Sequence, residues 1–291
     1  MPQTIIDLLN KGVEASNADR FRRGNLIFLP GHSAELGRSS NTQLIATGDI
    51  QGHRRNFERI LAFADLANNP NRHIVMQEII HGGPEDAEGG CLSYKLLFDA
   101  IRYKLSFPNR VHIIMGNHDT SFINNSKVMK NGKEMNRSIR LALEREFQEA
   151  GDDIKLAIKQ FLLSQPLAVK CENRIWLSHS LPDDRFVDKF DPKILDRPLE
   201  NNDCEKPGSA YLLTWGRNMS QQTLDKMAKL FNVDIFVLGH QPQQQGWSRA
   251  GENLIIIASD HNHGCLLSID LATSYTVETL IDSIVPLASI S

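Results

Sequence analysis

Apolar positions in this chain follow two spacings, and the polar residues that end the short runs carry the candidate chemistry. Residues 43–47 form a short apolar run ending at Gly48-Asp49. Across residues 54–67, Phe57, Ile60, Leu61 and Ala64 recur at helical spacing. Residues 74–80 read as a second strand ending at His81-Gly82-Gly83. Residues 91–103 read as a helix with Leu92, Leu96, Leu97 and Ile101 on one face, and residues 111–115 as a third strand ending at Gly116-Asn117-His118-Asp119. Strand, helix, strand, helix, strand predicts βαβ units and a largely parallel sheet. Ligands of such sheets sit beyond the carboxyl ends of the strands, so the scattered polar segments should converge there.

Beyond this core, residues 119–136 are polar, with Asn-Asn and Asn-Gly pairs, and are expected to be a loop. Residues 138–163 predict a helical stretch broken near Gly151, forming an insertion or cap at about 121–165. A hairpin is expected across Glu172-Asn173, and residues 182–209 are loop-rich. Leu224, Met227, Ala228 and Phe231 mark a helical face over 220–231. Strands are expected at 234–238, 254–258, 265–269 and 275–280, the first ending at Gly239-His240. No linker divides the chain, so residues 1–291 are taken as one domain.

Composition narrows the setting. The net charge of −3 gives no reason to expect nucleic acid or anionic membrane as a partner. Cys91, Cys171, Cys204 and Cys265 are far apart and form no CxxC pair, which argues against a disulfide framework or zinc ribbon. The first residues lack a basic segment followed by a long apolar one, so no signal peptide is expected, and no apolar run reaches membrane-spanning length. A cytoplasmic enzyme in a reducing compartment is the expectation.

Five polar segments follow expected strands. They are Gly48-Asp49-Ile50-Gln51-Gly52-His53, Gln77-Glu78-Ile79-Ile80-His81-Gly82-Gly83, Gly116-Asn117-His118-Asp119, Ser178-His179-Ser180 and Gly239-His240-Gln241-Pro242. Singly, Asp49 reads as a turn residue and Asn117 as a helix cap. Together the segments offer carboxylates, amides and imidazoles, a donor set that suits manganese, iron and zinc. In this order they resemble the calcineurin-like metallophosphoesterases, especially the branch with the serine/threonine phosphoprotein phosphatases and bacterial relatives, from about Gln43 to Asp270.

The resemblance implies an α/β fold, a four-layer α/β/β/α sandwich of two mixed sheets flanked by helices. It also implies two divalent metal ions, which can clamp an in-line phosphoryl displacement. Asp49 would hold the first metal, and Asn117, His179 and His240 the second. His118 would be the general acid, with Asp119 orienting and charging its imidazole. Two positions depart from the family. Gln51 stands where a His is usual, with His53 two residues further on as a substitute. Aligning strand residues 74–76 puts Glu78 at the bridging carboxylate, His81 at a later Asp and Gly82 at a usual Arg. Anchoring on the Gly pair would put His81 near the bridge, but a ligand between two cations needs negative charge, which favours Glu78. Arg217, in Trp215-Gly216-Arg217, and Arg54 are candidates to grip phosphate, since a guanidinium matches phosphate geometry. Asp260-His261-Asn262-His263 reads equally as metal-like or as a turn, and Asp183-Asp184 as a solvated loop.

Hydrolysis of a phosphomonoester, in a phosphoprotein or small phosphorylated metabolite, is the leading expectation. Hydrolysis of a dinucleoside polyphosphate or other nucleotide is a close variant. A non-catalytic adaptor that binds metal or phosphorylated partners is the reading from another class, motivated by Gln51 and the altered second motif.

Overall fold

Helix α1 (Pro2–Asn17) leads into strands β1 (Arg22–Arg23) and β2 (Leu26–Leu29) in a computed structural model that describes residues 2–32, 40–130 and 132–290. The βαβ series follows as β3 (Gln43–Asp49), α2 (Arg54–Ala64), β4 (Arg72–Gln77), α3 (Ser93–Ser106) and β5 (Val111–Ile114). Then come α4 (Asn117–Asn124), the hairpin β6 (Met129–Lys130) and β7 (Lys133–Glu134), α5 (Met135–Phe147) and α6 (Gly151–Leu163). The second half holds β8 (Ala168–Cys171), β9 (Ile175–Ser178), α7 (Ser209–Trp215), α8 (Gln221–Phe231), β10 (Ile235–Leu238), β11 (Trp247–Ala250), β12 (Leu254–Ile257), β13 (Cys265–Asp270), α9 (Val277–Ile281) and β14 (Ile284–Pro286).

Among the described residues, one sheet runs β14-β13-β3-β4-β5 and the other β1-β2-β8-β9-β10-β12-β11. Both are mixed. Strands β3, β4 and β5 are parallel, as are β9, β10 and β12. Short connections give antiparallel partners, as between β8 and β9, because a tight turn cannot make a parallel crossover, and β13 returns antiparallel to β3 from far along the chain. Alternation along each strand then sorts the core. Leu44, Ala46, Val75 and Ile114 of the first sheet face Val169, Leu177, Val237 and Ile255 of the second. Ile45, Ile74, Met76 and Ile113 point the other way, into a layer with Leu9, Leu97 and Ile101 of the helices. On the far side Trp176 stacks on Phe231 of α8, ring centroids 3.9 Å apart. The result is the expected α/β/β/α sandwich. Each aliphatic side chain buried in it contributes about 1.5–3 kcal/mol.

Three expectations need correction. Residues 119–136 are not a loop throughout: α4 runs to Asn124, burying Phe122 and Ile123, and ends where Asn125 adopts a left-handed φ of 56°. Asn131, from the Asn-Gly pair cited for that loop, lies outside the described residues, as does Met1. Residues 275–280 form no strand; Thr276 caps the helix α9, its side chain accepting from the Thr279 amide. Strand β4 stops at Gln77 because Glu78 takes a φ of 44°, which ends the pleat. The break near Gly151 is present as a single 3-10 turn, Gln148–Ala150, between α5 and α6. Helix α6 packs along α1, where a Cβ at Gly12 would meet Phe161 and Ile101 at 2.9 Å.

A polar cluster sits inside the inner layer at the β4–β5 edge. His73 and His112 stack with Nδ1 and Nε2 3.1 Å apart, and His112 Nδ1 lies 2.9 Å from Asp19 Oδ2. The buried Lys104 ammonium is 3.8 Å from the same oxygen. Burial works against the Asp19 charge, but His112, Lys104 and the Phe21 amide outweigh it and hold the carboxyl below its ordinary 3.8. Stabilisation from a lowered carboxyl is present above the unfolded value and lost as pH falls through the folded one. Asp19→Ala is therefore expected to cost about 3–5 kcal/mol near neutral pH, because it strands a buried cation. The deficit should shrink below pH 3.8. Denaturant unfolding at both pH values measures it, and a pH-independent deficit would contradict the assignment.

Candidate functional site

The parallel strands of both sheets end at one place. Asp49 closes β3, Glu78 follows β4, Asn117 and His118 follow β5, His179 follows β9 and His240 follows β10. A parallel bridge between Asp49 and Ala258 ties the two sheets together there, backed by the Gly48 amide donating to Ser259 Oγ at 3.0 Å. Gln51, Glu78, His81 and His240 all carry positive φ, between 43° and 68°. Each such residue costs about 1–3 kcal/mol and persists only where its surroundings enforce it. Four in one site turn the side chains inward at the strand ends.

Asp49, Glu78 and His179 bring one ligand atom each within 4.8 Å of one another. His179 Nε2 lies 3.0 Å from Glu78 Oε2 and 2.8 Å from Asn117 Oδ1, and His240 Nδ1 lies 2.9 Å from that same Asn117 oxygen. The His240 amide donates to Asp49 Oδ1 at 2.9 Å. The structure thus brings together Asp49, Gln51, Glu78, Asn117, His118, His179 and His240. The second motif's alternative anchor is answered by position. Glu78 touches the other donors, whereas His81 is fully buried with its ring 5.1 Å from that of His118 and is held well below the usual imidazole range by burial and by His118.

Charge is unevenly distributed. Burial raises the Glu78 carboxyl, but His118, His179 and His240 together pull it well below its ordinary value. Burial and the adjacent Glu78 push Asp49 up to about 7. Burial opposes a proton on His179, yet Glu78 and Asp49 overcome it and raise that imidazole. Two buried carboxylates this close need a positive partner. His240 Nε2 is buried without a hydrogen-bond partner among the described residues, and burial and His179 keep that ring neutral, the form that ligates. Carboxylates, an amide oxygen and imidazoles fit a divalent cation such as manganese, iron or zinc, whose own positive charge would displace the proton that Glu78 and Asp49 favour on His179.

Several expected roles change on inspection. Asp119 does not reach the His118 imidazole; its Oδ2 accepts from the Gly116 amide at 2.8 Å. Helix α4 begins at Asn117, so Asp119 occupies the third helical position, where a carboxylate turns back to the start of the helix. Burial pushes it up to about 7 despite that amide. His118 Nδ1 instead faces Glu78 Oε1 at 3.7 Å. Arg54 is half-exposed and pairs with Asp99 at 2.7 Å and Glu58 at 3.9 Å, away from the strand ends. His53 is a helix cap, its Nδ1 accepting from the Asn56 amide at 3.2 Å. Arg217 does line the cavity of about 260 Å³ over Asp49, Glu78, Asn117, His118 and His240. Among the described residues it pairs with no carboxylate.

Sequence reasoning missed two participants. Gln77 Oε1 sits 2.8 Å from His179 Nδ1 and fixes that ring, while Gln77 Nε2 donates to the Thr47 carbonyl at 2.8 Å. Its place beside Glu78 at a strand end was the available signal. Lys130, on the β6–β7 hairpin, reaches Gln51 Oε1 and lies 3.9 Å from Asp260; nothing in a polar stretch marked it.

The model of the calcineurin-like phosphoesterases matches residues 42–262. The chain belongs to the calcineurin-like phosphoesterase family. It is 22% identical over 226 residues to a serine/threonine-protein phosphatase of Caenorhabditis elegans, covering 73% of this chain and 46% of that protein, so it spans about half of that relative's length. Among solved structures it resembles a protein serine/threonine phosphatase of Saccharomyces cerevisiae, with TM-score 0.67 and 13% identity over 92% of this chain and 82% of the other. It also resembles a cold-active protein-tyrosine phosphatase of a psychrophilic Shewanella, with TM-score 0.58 and 14% identity over 84% and 77%. Among the described residues no helix is long and apolar enough to cross a membrane.

Gly82, where the resemblance implies an arginine, has no room for a side chain. A Cβ at Gly82 would stand 2.2 Å from the Gln51 carbonyl oxygen, because the turns after β3 and β4 lie directly on each other. Gly82→Ala is expected to cost about 1–3 kcal/mol and to displace the turn carrying Gln51. Thermal unfolding measures this, and an unchanged midpoint would contradict the close approach.

Proposed function

We propose that this family member hydrolyses a phosphomonoester, carried by a phosphoprotein or a small phosphorylated metabolite, with at least one divalent metal ion. The observation that carries the reading is the convergence of Glu78, Asn117 and His240 in one cavity with Asp49, His118 and Arg217, and with His179 buried against Glu78 and Asn117. Glu78, Asn117, His179 and His240 would hold the ion, which supplies positive charge against phosphoryl oxygens and acidifies water. Manganese, iron and zinc all suit this donor set.

The chain's own residues divide the remaining work. Arg217 grips the phosphate with its guanidinium fork. Gln77 keeps the His179 ring in one orientation. His118 delivers a proton to the leaving oxygen, and Asp119 fixes the start of the helix that carries it. Glu78 faces the His118 ring and counters the neutralising effect of burial on it. We read residues 1–291 as one domain, with the segment around 121–165 as a helical insertion beside the cavity. The cysteines named above are buried and unpaired, which supports a reducing, cytoplasmic setting.

Manganese-loaded protein is expected to turn over an aryl phosphate such as p-nitrophenyl phosphate. A pure, metal-loaded sample inert toward mono- and diesters alike would sink the enzyme reading. His118→Ala is expected to lower turnover about 10²–10⁴-fold while bound metal, measured by mass spectrometry, stays constant. Full retained activity would remove His118 as the acid.

A further inference from the structure

The place between Asp49 and Gln51, where the family resemblance expects a first metal, already has an occupant made of this chain. Lys130 Nζ meets Gln51 Oε1, and an ammonium can only donate. The carboxylates fix the amide's direction, since as anions they only accept: its NH₂ faces Glu78 and Asp49, and its oxygen is left to face Lys130. Gln51 Nε2 accordingly donates to Glu78 Oε1 at 2.6 Å and points to Asp49 Oδ2 at 3.3 Å. A ligand must offer a lone pair, and in this orientation Gln51 offers hydrogens. The amide donor bridges the two carboxylates that a first ion would otherwise link.

Lys130 is also built into place. The hairpin that carries it is anchored at its far strand, where Lys133 pairs with Glu85 at 2.5 Å and donates to the Gly89 carbonyl at 3.1 Å. The Met135 amide donates to the Val128 carbonyl at 3.0 Å and closes the hairpin base. Asp260, on the opposite wall of the cavity, lies 3.9 Å from the ammonium. Among the described residues the other half of the site has no such occupant: His240 Nε2 is buried without a partner, and Asn117 Oδ1 lies between two imidazoles.

We propose that Lys130 and Gln51 replace the first metal of the family's site, so that the chain binds one divalent ion, at Glu78, Asn117, His179 and His240, and meets the remaining carboxylate charge with an ammonium. This rests on the phosphoesterase reading for the identity of the remaining site. It explains Gln51 without treating it as a weak ligand: a histidine there could not accept from Lys130 and donate to both carboxylates at once. It also gives the β6–β7 hairpin a role, since that hairpin delivers the charge.

The test is metal stoichiometry. Protein saturated with manganese and freed of excess is analysed by mass spectrometry for metal per chain and by electron paramagnetic resonance for ion–ion coupling. The native chain is expected to hold one manganese with an uncoupled spectrum. The double variant Lys130→Met, Gln51→His is expected to hold two, with the spectrum of a coupled pair. Lys130→Met alone, which frees the amide to turn its oxygen inward, is expected to admit a second, weaker ion and serves as the comparison if the double variant misfolds by circular dichroism. Two coupled ions in the native chain would overturn the replacement, and with turnover retained the phosphoesterase reading would stand. Folded variants that hold no more metal than the native chain would overturn it equally. A native chain that binds no ion and turns over no phosphoester would overturn both.

Discussion

The constraint on which this structure turns is the burial of two carboxylates, Asp49 and Glu78, side by side where two sheets meet. Neither can be charged in a low-dielectric interior without compensation, and they share Gln51 and His179 as part of it. Glu78 receives the Gln51 amide, the His118 backbone N–H and the His179 ring. Asp49 receives the His240 amide, the second arm of the Gln51 amide and the nearby His179 ring, yet burial and Glu78 still push it toward its protonated form. Strand order, the positive φ values of the residues after each strand and the glycine contact between adjoining turns all serve to hold this pair and its partners at one point.

The same constraint separates structural from chemical roles among the histidines. His73 and His112 sit within a satisfied cluster with Asp19 at the sheet edge, remote from the strand ends, and complete the inner layer. His53 caps a helix. His179 and His240 share Asn117 and face the buried carboxylates, and His118 opens to the cavity beside them. Position relative to the buried charge, rather than residue type, distinguishes these groups.

Much of this was legible in the sequence. Apolar runs ending at Asp49, Asn117, His179 and His240 gave the strands and their convergence, because in a parallel arrangement the residue after each strand must lie at one edge, whereas the run before His81 reads through Glu78, whose positive φ ends the strand at Gln77. Helix α2 followed from Phe57, Ile60 and Ala64, all buried. What was not legible depended on local competition or on distance. Asp119 read as the partner of its neighbour His118, but the start of α4 competes for its carboxylate and wins. Arg54 follows the first motif directly, yet the first turn of α2 points it to Asp99. Lys130 stands 79 residues from Gln51, and only the folded hairpin brings them together.

The central claim is that the strand ends of the two sheets build a cation site around Glu78. The most direct measurement is anomalous diffraction from crystals soaked in manganese, recorded at a wavelength where the metal scatters anomalously. The account predicts a peak enclosed by Glu78, Asn117, His179 and His240. A crystal of demonstrably manganese-loaded protein with its peak elsewhere, and none at these residues, would contradict it.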